Sequence, residues 1–311
     1  MSAAVGDPTV ELTGVSRWYG NVVAVNDISF GLGQGVTGLL GPNGAGKSTL
    51  LHMMAGLLAP SAGTLTVAGV APRGHPRVYR QVGLVPERED VYPFLSARQF
   101  VVANARLQGM SVAEARDAAV RAIHAVELED AADREIGTYS KGMRQRAKVA
   151  AALVHDPPIL LLDEPFNGMD PRQRLQMMDL LRRLASEGRT ILFSSHILEE
   201  VERLADRVLV IVAGRLAASG DFREIRRLMT DRPHTFTLHS SDDRALAAEL
   251  MRDPVTAGVT LEDGSLTVRT AEFGAFSRAL AGHARQSAIS LYEVRPTDES
   301  LESVFSYLVR G

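Results

Sequence analysis

Gly41-Pro42-Asn43-Gly44-Ala45-Gly46-Lys47-Ser48-Thr49 lies between the apolar run 36–40 and a helical pattern over 50–56. It is a glycine-rich loop joining a strand to a helix. Glycines let successive backbone N–H groups converge on phosphate oxygens, and a helix N-terminus behind them adds roughly half a positive charge. Lys47 then reaches the β- and γ-phosphates of a nucleoside triphosphate, and the Ser48 hydroxyl becomes a Mg2+ ligand. A glycine-rich turn with an incidental lysine would lack this strand and helix on either side. The loop by itself says nucleoside triphosphatase and leaves GTPase, kinase, helicase and transporter open.

Outward from the loop, residues 10–220 alternate strand and helix patterns, as in an α/β sheet covered by helices. Short strands are expected at 12–15, 29–32, 36–40 and 65–67, and buried strands at 82–85, 159–162, 191–194 and 208–212. A helical block interrupts the strands, with two helices between Ser96 and Val126 separated by Gly109, the second opened by the capping-box sequence Ser111-Val112-Ala113-Glu114. Asp170-Pro171 starts another helix, with Leu175, Met178, Leu181 and Leu184 as its apolar stripe and Gly188 as its stop. The pattern changes near Gly220, after a hairpin-like stretch over 208–219. A basic helix over 221–229 leads into strands at 235–239, 259–261, 266–270 and 289–294, with helices at 244–252, 271–281 and 300–309. The expected organisation is a domain over 1–220 and a small α+β domain over 221–311.

Ile159-Leu160-Leu161-Leu162-Asp163-Glu164 narrows the choice of chemistry. An apolar strand here delivers two carboxylates at its C-terminal end, the edge where open α/β sheets place ligands. Asp163 is expected to hold Mg2+, through water, and Glu164 to polarise an attacking water. Two acids that merely end a strand at the surface are the plainer alternative.

With both motifs in place, the chain resembles the ABC ATPases over about residues 10–220. Tyr139-Ser140-Lys141-Gly142-Met143, followed by Arg144-Gln145-Arg146 and an alanine-rich helix, is similar to the family's signature loop. The resemblance implies that Ser140, Lys141 and Gly142 cap the γ-phosphate held by the opposite subunit. It also matches Asn167-Gly168-Met169-Asp170 to the D-loop that crosses the dimer interface, and His196 to the switch histidine that bridges γ-phosphate and Glu164. Tyr19 matches the aromatic residue that stacks on adenine, with Trp18 as its rival. The implied fold is a P-loop cassette with a mixed sheet, an antiparallel β portion and a helical subdomain over about 87–153. The implied activity is Mg2+-dependent ATP hydrolysis.

Two departures from the family pattern stand out. The signature loop carries Tyr139, Lys141 and Met143 where leucine, a second glycine and glutamine are usual, a variant that resembles exporters paired with ABC-2 type permeases. After Val82-Gly83-Leu84-Val85-Pro86 the chain has Glu87 where the family's Q-loop has glutamine, so a carboxylate replaces the amide as a candidate ligand for Mg2+ or for the nucleotide's water.

Composition sets the partners. A net charge of −3 argues against nucleic acid, and no run reaches the roughly 18 to 20 apolar residues that span a bilayer. The chain has no cysteine, which excludes disulfides and thiolate metal sites and suits a reducing compartment. Residues 1–8 do not carry a signal-peptide pattern. The expected partners are therefore a second copy of the same or a related cassette and a separate transmembrane permease, on the cytoplasmic side of the membrane. A soluble ABC ATPase acting on ribosomes or DNA is the alternative, but such relatives typically carry two cassettes, a coiled-coil insertion or a basic linker. The tail over 298–305 resembles the extension of drug- and antibiotic-exporting cassettes, and cargo contacts fall to the membrane subunit.

Overall fold

The computed structural model describes residues 9–88, 91–221, 234–262 and 265–296. The described residues divide into two compact units, one within 1–220 and one within 221–311. The basic helix expected at 221–229, the helix at 300–309 and the exporter-like tail lie outside the described residues.

The first unit holds two sheets. Strands β1 (Val10–Tyr19), β2 (Val22–Leu32) and β4 (Ala62–Val67) make an antiparallel sheet in the order β2-β1-β4. β1 and β2 are much longer than the short strands expected, because their pairing continues through register shifts from Val10↔Leu32 to Tyr19↔Val22. The second sheet has the order β5-β6-β7-β3-β8-β9, from β3 (Gly35–Leu40), β5 (Val82–Val85), β6 (Ile159–Asp163), β7 (Thr190–Ser195), β8 (Arg207–Val212) and β9 (Arg215–Gly220). The pairs β5 with β6, β6 with β7, β7 with β3 and β3 with β8 are all parallel, and β9 alone returns antiparallel. The C-terminal ends of β3, β5, β6 and β7 therefore lie along one edge.

Helix α1 (Lys47–Met54) begins three residues before the expected helical pattern, with Gly46 as its N-cap. α2 (Pro76–Gln81), which the apolar pattern did not reveal, leads directly into β5. The helical block comprises α3 (Ala97–Leu107), α4 (Val112–Ala125) and α5 (Lys141–Leu153). Ser96 and Ser111 each complete a capping box, with Gln99 and Glu114, and a positive φ of 92° at Gly109 ends α3. α6 (Pro171–Ser186) starts at an Asp170 N-cap whose side chain accepts from Gln173 N–H. Its buried stripe is Met177, Met178, Leu180, Leu181 and Leu184, and Leu175 is exposed, contrary to the expected pattern. At 3.6 residues per turn Leu175 points about 150° away from the centre of that stripe. α7 (Leu198–Leu204) follows β7 closely.

The second unit runs strand, helix, strand, strand, helix, strand: β10 (His234–Ser240), Asp243–Leu250, β11 (Thr256–Glu262), β12 (Ser265–Thr270), Phe273–Gln286 and β13 (Leu291–Pro296). All its strand pairs are antiparallel, in the order β11-β12-β10-β13, the split βαβ arrangement of ferredoxin-like domains. Leu246, Leu250, Phe276 and Leu280 from the helices pack with Phe236, Leu238, Leu266 and Val268.

Candidate functional site

A cavity of about 270 Å³ opens at the strand-end edge, lined by residues 43–49 with Ala24, Glu87, Asp163 and Glu164. The loop after β3 lies tightly on β2. Gly46 has a φ of 103°, and a Cβ there would sit 2.4 Å from the Ala24 carbonyl oxygen, so only glycine suits the position. Lys47 is 7% exposed, and its ammonium donates to the carbonyls of Gly41 at 2.7 Å and Pro42 at 3.3 Å. The loop thus curls around its own lysine, with Asn43, Gly44 and Ala45 at the rim and Ser48 and Thr49 on the first turn of α1.

The two acids at the end of β6 are held from β7. The buried Ser194 hydroxyl donates to Asp163 Oδ1 at 2.5 Å and accepts from Glu164 N–H at 2.9 Å. Glu164 has a φ of 49°, a left-handed backbone uncommon for a side chain of its kind. His196, just beyond β7, places Nδ1 3.0 Å from both Glu164 carboxylate oxygens. Burial pushes the Glu164 carboxyl above its usual range, the hydrogen bond and charge of His196 and the Lys47 charge oppose that rise, and Asp163 adds to it. Such an acid is disposed to accept a proton once His196 and Lys47 favour its ionised form.

The other expected residues stand elsewhere. Ser140 is the exposed N-cap of α5, its Oγ accepting from Met143 N–H at 3.2 Å. Ser140, Lys141, Gly142 and Asp170 do not line the cavity. The signature loop and the D-loop pack on each other instead: a Cβ on Gly142 would sit 2.2 Å from Gln173 Oε1, and one on Gly168 2.6 Å from Lys141 Cβ. Tyr139, at the family's leucine position, is buried and donates its hydroxyl to the Ala131 carbonyl, anchoring the loop from within. Tyr19 and Trp18 are both exposed on the β1–β2 hairpin, outside the lining of the cavity; the Arg17 guanidinium lies 4.8 Å from the centre of the Tyr19 ring.

The family described as ABC transporter matches residues 25–167, which run from β2 to the D-loop. The chain is 42% identical over 213 residues to the Nod factor export ATP-binding protein I of Burkholderia orbicola, covering 68% of this chain and 70% of that protein. This chain belongs to the ABC transporter ATP-binding family. The daunorubicin/doxorubicin resistance ATP-binding protein DrrA of Streptomyces peucetius is 38% identical over 258 residues, covering 82% of this chain and 78% of that one. A dimeric bacterial ABC transporter cassette superposes with a TM-score of 0.64 at 25% identity, over 68% of this chain and 98% of the cassette. The chain is accordingly an ATP-binding, ATP-hydrolysing ABC subunit, with an ABC cassette fold.

The donor set of this ABC ATPase suits Mg-ATP. A hydroxyl at Ser48 and carboxylates at Asp163 and Glu87 are hard oxygen ligands. Among the described residues no group of three or more His, Asp or Glu forms a protein-only metal cage, and Mg2+ with a triphosphate does not need one, since phosphate oxygens and water complete its shell. Three side chains in the site's surroundings went unread in the sequence: Ser194, Glu200 and Lys148. A pair of serines, Ser194-Ser195, at the end of an otherwise apolar strand was the available signal for the first. Glu200 is buried, accepts from Ser195 Oγ at 2.6 Å and lies 3.4 Å from Arg174 Nε at the start of α6.

Proposed function

We propose that this chain is one of two cassettes that close head to tail around two Mg-ATP and drive a separate export permease. The observation carrying this reading is the division of the site. Lys47 and Glu164 line one cavity and His196 bonds that Glu164, whereas Ser140, Lys141, Gly142 and Asp170 stand on exposed or mutually packed loops that neither line it nor bond Glu164 among the described residues. A second copy, or a related cassette, related by a twofold axis offers the signature serine and helix N-terminus to the first copy's γ-phosphate and receives the same in return.

The chemistry asks for positioning and charge stabilisation. Lys47 and the amides of residues 43–49 offset charge on the β- and γ-phosphates. Glu164 orients a water and takes its proton, while His196 fixes both carboxylate oxygens. Ser48, Asp163 and Glu87 would hold Mg2+, which supplies further charge neutralisation at the β- and γ-phosphate oxygens. Tyr19 offers an exposed ring for adenine, backed by Arg17.

The permease has a candidate seat in the same unit. A cavity of about 440 Å³ lies between the sheet and the helical block, lined by Leu57, Tyr79, Tyr92, Phe100, Leu107 and His155 among others. Leu107 is 85% exposed and Tyr92 59%, which suits a cytosolic helix of a membrane partner. Export through an ABC-2 type permease is supported by the variant signature loop and by relatives named for Nod factor export and for daunorubicin/doxorubicin resistance. This reading places the chain on the cytoplasmic face of the membrane, held there by the permease; among the described residues no helix is long and apolar enough to cross a membrane.

Glu164→Gln tests the paired site. The mutant should bind ATP without hydrolysing it and run as a dimer with ATP and as a monomer with ADP or no nucleotide, by size-exclusion chromatography with light scattering. Adding Ser140→Arg should abolish that dimer. An ATP-dependent dimer that survives Ser140→Arg removes the composite site.

A further inference from the structure

Lys148 lies in the middle of α5, the helix capped by Ser140, and is only 5% exposed. Its ammonium reaches the loop after β5: Nζ donates to the Pro86 carbonyl at 2.6 Å and the Arg88 carbonyl at 2.9 Å, and lies 3.4 Å from that of Glu87. Taking an ammonium out of water is costly unless oriented dipoles replace the water. Here three successive carbonyls contribute to that replacement, and a lysine has three N–H donors to offer. The loop must therefore turn its carbonyls together toward α5. Glu87, whose main chain is gripped in this way, also lines the nucleotide cavity with Asp163 and Glu164.

We propose that Lys148 is a positioning residue for Glu87, tying the loop that bears it to the helix that presents Ser140. A shift of α5 as its N-terminus meets a partner's nucleotide then moves Glu87 at the chain's own cavity. One lysine couples the two half-sites of a chain. The inference rests on the reading of Glu87 as a residue of the Mg-ATP site.

Lys148→Met in the full chain keeps the apolar stem and removes the donors. The carbonyl 13C resonances of residues 86–88 should shift on loss of the charge-assisted bonds they accept, and those of α1 should stay unchanged. Turnover should fall about tenfold with KM for ATP moving less than about threefold, since the loop over 41–49 is untouched. In a Glu87→Ala background, Lys148→Met should cause no further loss. Unchanged carbonyl resonances at residues 86–88 overturn the tether, and an equal loss of turnover in both backgrounds overturns the route through Glu87. Wild-type turnover in Glu87→Ala alone overturns the reading of Glu87 itself, which the carbonyl result does not touch. Should Lys148→Met fail to fold, Lys148→Gln, shorter and neutral, is judged by the same carbonyl resonances at residues 86–88.

Discussion

Ser194→Ala removes one oxygen atom and, on this structure, disturbs both acids of the site. The Ser194 side chain is fully buried on β7, and its hydroxyl is shared between Asp163 Oδ1 and Glu164 N–H. Without it the Glu164 N–H has lost its partner inside the fold and Asp163 has lost a short charge-assisted bond. An unmet buried donor costs about 1–3 kcal/mol, and a bond to a charged group contributes about 1.5–3 kcal/mol. Allowing for relaxation, the loss should come to about 3 kcal/mol, or about 6–12 °C in Tm for a unit of this size. The same bond helps hold Glu164 at its φ of 49°, a conformation that costs roughly 1–2 kcal/mol in an L-residue. Freed from it, the carboxylate spends less time over the water it must orient. Turnover should therefore fall by about tenfold or more, since each 1.4 kcal/mol of barrier is a factor of ten. ATP affinity should change much less, because the Ser194 hydroxyl bonds Asp163 and Glu164 and not the phosphate loop. Calorimetry, steady-state ATPase rates and equilibrium nucleotide binding measure the three quantities separately. Wild-type Tm together with wild-type turnover would refute the claim that this hydroxyl holds the acids.

Lys47→Ala should abolish ATP turnover and cut Mg-ATP affinity by about tenfold or more, while the fold persists, because among the described residues the hydrogen bonds of Lys47 go to carbonyls of its own loop. Retained turnover in the folded variant would remove the phosphate-loop assignment. Glu200→Gln should alter how stability depends on pH. Burial pushes the Glu200 carboxyl above its usual 4.5, against the pull of Ser195 and Arg174. The folded chain thus binds that proton more tightly than the unfolded one, and stability falls as pH rises through 4.5 to the raised value. Glu200→Gln removes this fall, so urea unfolding should show the variant gaining on wild type as pH rises above 4.5. A constant difference between the two at every pH would show that Glu200 does not contribute through its proton.

The sequence by itself determined the local chemistry of this protein. Residues 41–49 and 159–164 each carry their meaning within ten consecutive positions, because a phosphate loop needs only its flanking strand and helix, and a strand-end acid needs only its strand. Helix caps at Ser111 and Asp170 were equally local, since a cap is a bond to an N–H three residues on. The direction of a helix's buried face was less so: the stripe of α6 excludes Leu175 because the surface it packs against comes from other segments. Assembly of the site was decided only in three dimensions. Parallel pairing of β5, β6, β7 and β3 brings Glu87, Glu164, His196 and Lys47, more than 140 residues apart at the extremes, to one edge. Ser194 reaches Asp163 across 31 residues and Lys148 reaches the Pro86 carbonyl across 62. No local pattern encodes such pairs, because a buried hydroxyl or ammonium is satisfied by whatever the fold sets beside it, and the fold's strand order is a property of the whole core.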